Sequence, residues 1–122
     1  MRVLIADDSA FMRSYISNIV RSTIDCEVFE ASDGEDAVYK YKICLPDIVL
    51  IDLNMPKKGG MEAIAEIRKM GDPKVIVVTA IDQDWARKDA LKKGVSGFIT
   101  KPFKPDEIRR VLLMTLAAQN MR

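Results

Sequence analysis

The chain has 122 residues, 48% apolar and 30% charged, with 19 basic against 18 acidic side chains. That length suits one domain, expected over 1–122, with a hydrophobic core of its own. The near-neutral balance, the scattering of basic pairs among acids and the lack of any bilayer-length apolar run exclude a nucleic-acid footprint and membrane insertion, and the early acids of MRVLIADDSA argue against a signal peptide, so a cytoplasmic protein is expected.

Apolar runs alternate with helical patterns along the chain. VLIA, 3–6, reads as a short buried strand. Phe11/Met12, Tyr15/Ile16 and Ile19/Val20 then recur every four residues, which predicts one face of a helix. EVFEA, 27–31, is the second strand. Ser32 and Glu35 have capping-box spacing and open a helix with Ala37, Val38 and Tyr41 inward. Pro46 punctuates, and DIVLID, 47–52, is the third strand. Gly59-Gly60 precedes a third helix carrying Ile64 and Ile67. VIVVTA, 75–80, is the fourth strand. Residues 83–93 form a fourth helix, the least amphipathic of the set, and GFIT, 97–100, is the fifth strand. Pro105 suits the first turn of the last helix, with Asp106 and Glu107 at its positive end and Ile108, Val111, Leu112, Thr115 and Leu116 inward.

Five strands alternating with five helices predict an α/β domain with a parallel sheet covered on both faces. Right-handed crossovers leave few topologies, and the doubly wound, flavodoxin-like order 2-1-3-4-5 is the natural one. Its ligand crevice lies between strands 1 and 3.

The ends of the strands carry the chemistry. Asp52 follows four apolar residues and has no basic neighbour in sequence, although a bare buried carboxylate is costly unless compensated. Strand 1 ends in Asp7-Asp8, strand 4 in Thr79, and strand 5 runs into Lys101. In a parallel sheet these groups share one edge. The chain has no histidine, and Cys26 and Cys44 read as lone packing thiols, so a metal here must take oxygen ligands, and Mg²⁺ fits. Three carboxylates, a cation, an ammonium and a hydroxyl suit a phosphoryl group, with Asp52 as nucleophile. Each residue alone has a plainer reading. Asp7-Asp8 suits the cap of a helix, Asp52 a strand-end turn, Thr79 a strand interior and Lys101 a solvated turn. Their coincidence at the ends of separate strands favours a functional site.

Asp7-Asp8, Asp52-Leu53-Asn54-Met55-Pro56, Thr79-Ala80 and Lys101-Pro102-Phe103, taken in order, resemble the receiver domain of two-component response regulators across the whole chain. Read without an output domain, the chain is most similar to the single-domain, CheY-type chemotaxis members. The resemblance implies that Asp52 is the phosphoacceptor and Asp8 a direct Mg²⁺ ligand, with Asp7 acting through water. It implies that the Asn54 backbone carbonyl completes the metal shell and Lys101 binds phosphate. Thr79 would be the switch hydroxyl, Phe98 the aromatic that turns inward with it, and Lys101–Pro102 a cis bond. A partner histidine kinase would be the phosphodonor, necessarily in trans.

The resemblance implies a signalling switch, not an enzyme in the turnover sense, that assists its own phosphorylation and slow dephosphorylation. The output would be a protein target, such as one of the motility apparatus, bound by the face of helix 4, strand 5 and helix 5. Candidate contacts there are Asp84, Trp85, Arg87, Phe98, Lys104 and Ile108. Trp85 has two readings, a partly buried anchor or a partner contact. Ile81 stands where many relatives carry a polar group that positions the hydrolytic water, so self-dephosphorylation is expected to be slow. A monomer is expected. The alternatives are a single-domain phosphorelay intermediate and a Mg²⁺-dependent aspartyl-phosphate phosphatase or phosphotransferase. The latter places its nucleophile on the first strand, unlike Asp52. A nucleotide or flavin binder lacks its glycine-rich phosphate loop here.

Overall fold

The computed structural model describes residues 1–120. The elements run β1 (Arg2–Ala6), α1 (Ala10–Thr23), β2 (Glu27–Ala31), α2 (Gly34–Cys44), β3 (Ile48–Ile51), α3 (Gly60–Met70), β4 (Lys74–Thr79), α4 (Asp84–Lys92), β5 (Gly97–Thr100) and α5 (Pro105–Asn120). The strands pair in parallel in the order β2-β1-β3-β4-β5, as the alternation of elements predicts.

Period-two alternation along the central strands divides the core between the two faces of the sheet. Leu4, Val49, Ile51, Val75 and Val77 point to the side covered by Ala37 and Val38 of α2, Ile64 and Ile67 of α3, and Ala86 and Ala90 of α4. Val3, Ile5, Ile48, Leu50, Ile76 and Val78 point to the other side, against Ile16, Ile19 and Val20 of α1 and Ile108 and Leu112 of α5. Ile48–Ile51 is buried throughout, because the central strand meets helices on both faces. Only alanines are buried on α4, which is why its apolar pattern is weak in sequence.

The helix starts differ in detail from expectation. Ser9 caps α1 by accepting from the Met12 N–H at 3.1 Å, so neither Asp7 nor Asp8 is used as the cap. Asp33, not Ser32, caps α2, accepting from the Asp36 N–H at 2.7 Å. Asp33 is the last extended residue before the helix, at φ −158 and ψ 176, so its carboxylate meets the open N–H groups of the first turn. Phe11, expected on the inner face of α1, is 75% exposed, since the stripe that meets the sheet is centred on Ile16, Ile19 and Val20. Cys44 is buried, Cys26 is half-buried, and both are free thiols. No helix among the described residues is long and apolar enough to cross a membrane.

Candidate functional site

The sheet's backbone ladder runs one step beyond the strands and seats the polar groups. The Asp7 N–H donates to the Ala31 carbonyl at 3.1 Å, and the Asp52 N–H to that of Ala6 at 3.0 Å. The Lys101 N–H donates to the Thr79 carbonyl at 2.8 Å. Parallel pairing therefore delivers Asp7, Asp52, Thr79 and Lys101 to one edge. The register puts Ala6 opposite both Ala31 and Ile51, so Asp7 and Asp52 emerge side by side.

Asp7 is 1% exposed and Asp52 6% exposed. The compensation that their burial demands comes from the far end of the chain. Lys101 Nζ donates to Asp7 Oδ2 at 2.7 Å and to Asp52 Oδ2 at 2.9 Å. Each carboxylate's other oxygen accepts a local backbone N–H, that of Ser9 at 2.9 Å for Asp7 and that of Asn54 at 3.1 Å for Asp52. Asp52 is thus both the strand-end turn of the plainer reading and a member of the charged cluster. Burial by itself pulls the Lys101 ammonium down. The hydrogen bonds and charges of Asp7 and Asp52 outweigh it and hold the group above its ordinary value.

Asp8 is exposed and completes the acidic group. One carboxylate oxygen from each of Asp7, Asp8 and Asp52 lies within 4.8 Å of the others. Three hard oxygen donors, two buried and one facing water, suit a cation that keeps part of its water shell, and Mg²⁺ has that chemistry. The residues present therefore fit the metal that the sequence implies. Asn54 begins the loop beside Asp52 and is itself exposed.

That loop is pressed close to its neighbours. A Cβ on Gly60 would fall 2.3 Å from the Asp52 carbonyl oxygen, and one on Gly34 only 1.9 Å from that of Lys58. The first turns of α3 and α2 thus approach the 52–59 backbone at distances that exclude a side chain. Lys57 adopts φ 66, and its ammonium lies 3.7 Å from the Asp33 carboxylate. Lys58 is ion-paired with Glu66.

Thr79 is fully buried, and its hydroxyl accepts the Ile81 N–H at 3.3 Å. Phe98 is half-buried beside it in the register, since Val77 faces Phe98 and Thr79 faces Thr100. Lys101–Pro102 is cis, as the resemblance implies. Ile81 is half-buried and packs against the core.

Of the candidate partner face, Asp84, Trp85 and Lys104 are exposed, and Arg87 and Phe98 are half-buried. Trp85 is 61% exposed, which overturns the anchor reading. Ile108 must also be withdrawn from that face. It is fully buried between α5 and the sheet, where an apolar side chain on the helix's inner stripe belongs.

Two charged contacts were not legible in sequence. Arg13 donates to the Asp7 carbonyl at 2.8 Å and to Glu30 at 2.9 Å, bracing the strand end from α1. Arg87 donates to Asp82 and to Thr100, and its guanidinium lies 4.5 Å from the centre of the Phe98 ring. Both arginines bridge separate elements, and no spacing along the chain marks such a pair.

The profile of the response regulator receiver domain family matches residues 3–113. The CheY chemotaxis protein of Listeria monocytogenes is 43% identical over 113 residues, covering 92% of this chain and 95% of the relative. The response regulator domain of Thermotoga maritima CheB superposes with a TM-score of 0.87 at 34% identity, covering 98% of this chain and 96% of that one. A chain of the Borrelia burgdorferi CheX–CheY–BeF₃–Mg²⁺ complex superposes with a TM-score of 0.86 at 33% identity, covering 95% of this chain and 89% of that one. On the matched family profile, the shared fold and this coverage, the chain belongs to the response regulator receiver domain family.

Proposed function

We propose that this receiver is a chemotaxis response regulator that takes a phosphoryl group onto Asp52 from a partner histidine kinase. The observation that carries the reading is the bridging of Lys101 between Asp7 and Asp52 beside a third carboxylate. The ammonium neutralises the acceptor while the site is at rest and lies ready for the oxygens of an incoming phosphoryl group. The relatives named CheY, matched over nearly their whole length, support the chemotaxis assignment.

In the transfer, an Asp52 carboxylate oxygen attacks phosphorus in line with the N–P bond of a phosphohistidine. That bond breaks, the imidazole leaves with the electron pair and takes a proton, and Asp52 becomes an acyl phosphate. Mg²⁺, held by Asp8, Asp52 and the Asn54 backbone carbonyl with Asp7 acting through water, would neutralise charge on the phosphoryl oxygens. Lys101 shifts its hydrogen bonds from Asp52 to a phosphoryl oxygen. Thr79 exchanges its contact with Ile81 for one to another phosphoryl oxygen, and Phe98 turns into the space that it leaves. The new charge and acceptors on Asp52 drive these moves.

The readout is the surface around α4 and β5. Trp85 is exposed on α4, and the exposed Leu91 lines a groove with Arg87, Val95 and Phe98. A protein target, one of the motility apparatus, binds this face of a monomeric receiver. The acyl phosphate can be located chemically. After reaction with a phosphohistidine kinase or acetyl phosphate, borohydride reduction should convert Asp52 alone to homoserine in peptide mass spectra. Reduction at another aspartate would move the acceptor elsewhere, and none at all would remove the reading.

A further inference from the structure

Arg87 of α4 hydrogen-bonds to groups at or beyond both strand exits that carry the switch. Its Nε and Nη2 donate to Asp82 Oδ1 at 2.9 and 2.6 Å, and Nη2 also donates to Thr100 Oγ1 at 2.9 Å. Thr100 donates in turn to Asp82 Oδ1 at 3.3 Å. The guanidinium covers the Phe98 ring at 4.5 Å, within cation–π range. The hydrogen bond from Arg87 leads the causes that hold the Asp82 carboxyl below its ordinary value; desolvation opposes it, and the Arg87 charge and the Thr100 hydrogen bond add to it.

The partners of Arg87 are placed for control. Asp82 is three residues beyond Thr79, and Thr100 immediately precedes Lys101. A move of Thr79 and Lys101 toward a phosphoryl group therefore displaces both ends of the network. Phe98 has no hydroxyl, so no hydrogen bond from the ring can fix its place at the surface. The cation over its face supplies that hold, and an inward turn must give it up.

We infer that Arg87 is a latch on the switch: it holds Phe98 at the surface and ties the loop after β4 to β5 until the site is phosphorylated. The inference rests on the receiver reading given above and adds a residue to it. A ligand that favours the switched state is bound more weakly when the resting state is held by extra contacts, in proportion to the population that they remove. Removing the latch should therefore tighten the site's hold on a phosphoryl mimic without touching the metal. A plain surface ion pair, by contrast, would alter only the stability of α4.

The test compares wild type with Arg87→Met, which keeps the aliphatic stem, and Arg87→Lys, which keeps the charge but loses the planar fork. Beryllofluoride is titrated in saturating Mg²⁺, and Mg²⁺ is titrated alone. Fluorine-labelled phenylalanine, with the Phe98 signal assigned by Phe98→Leu, reports the ring. We expect Arg87→Met to bind beryllofluoride about two- to tenfold tighter, with Mg²⁺ affinity unchanged and the resting Phe98 signal moved toward its beryllofluoride-bound position. Arg87→Lys should fall between the two. Equal or weaker beryllofluoride affinity in Arg87→Met, or an unmoved Phe98 signal, overturns the latch and leaves the receiver reading intact. Failure of wild type to bind beryllofluoride, with Mg²⁺ bound, overturns both.

Discussion

Lys101→Met is the sharpest perturbation of the site. It removes the ammonium from between two buried carboxylates and keeps a side chain of similar length. Each contact, at 2.7 and 2.9 Å, has a gross attraction of about 6 kcal/mol at an effective dielectric of about 20. Desolvation of the three charges offsets most of that sum. The measurable quantity is the cost of leaving the buried carboxylates uncompensated, about 3–5 kcal/mol. With two carboxylates left facing each other, the upper half of that range is expected in EDTA. Urea unfolding of both proteins, with and without Mg²⁺, reads the difference directly. Mg²⁺ at about a hundred times its dissociation constant adds about 2.7 kcal/mol to a folded state that binds it. The variant should gain more from the cation than wild type, because there the metal meets no competing ammonium. The gap between the two proteins should therefore narrow in Mg²⁺. The pH dependence has a fixed sign. Lys101 is held above its ordinary 10.5 in the folded state, so its contribution is whole at neutral pH and fades only as pH rises through the raised folded value. A loss below about 1 kcal/mol in EDTA, far under the buried-pair range, or a gap indifferent to Mg²⁺, would refute the argument that Lys101 compensates the buried acids.

The other predictions concern single features. Ile81→Glu places a carboxylate beside the site, and the phosphorylated variant should lose its phosphoryl group faster than wild type in a quench-and-mass time course; equal or slower loss contradicts this. Trp85→Ala should change unfolding free energy by no more than about 0.5 kcal/mol, the usual range for surface positions, and a loss well beyond that would show that the ring is an anchor after all. Gly34→Ala drives a Cβ into the Lys58 backbone and should weaken Mg²⁺ binding in calorimetry by displacing the loop that carries Asn54. An unchanged Mg²⁺ affinity in the folded variant would mean that this contact does not set the metal loop.

The sequence is most legible where local chemistry and the global pattern agree. Ile48–Ile51 can be only a buried central strand, and the alternation of such runs with helical periods leaves one natural sheet order. Once the order is known, the residue that ends or follows each strand must lie on the ligand edge, so Asp7, Asp52, Thr79 and Lys101 can be brought together before any coordinate is seen. Other features depend on tertiary distance. Whether Ser32 or Asp33 caps α2 turns on one residue of backbone rotation. Phe11 follows the same four-residue spacing as Ile19, yet the buried stripe of α1 runs only from Ile16 to Val20 and Phe11 stays exposed. In sequence Ile108 fits both the inner stripe of α5 and its partner face, and burial decides for the first. Arg87 is marked in sequence only as a partner-face candidate; its contacts with Phe98 and Thr100 are not legible there, because the pairing of β4 with β5 brings them together.

The central claim is that Asp52 accepts a phosphoryl group with the help of Mg²⁺. The most direct measurement is intact mass after brief incubation with acetyl phosphate or a phosphohistidine kinase, for wild type beside Asp52→Asn, with and without Mg²⁺. One added phosphoryl group on wild type in Mg²⁺, absent from the variant and absent in EDTA, is the expected result. An adduct on Asp52→Asn, or no adduct on wild type with Mg²⁺ bound and both donors tried, would contradict it.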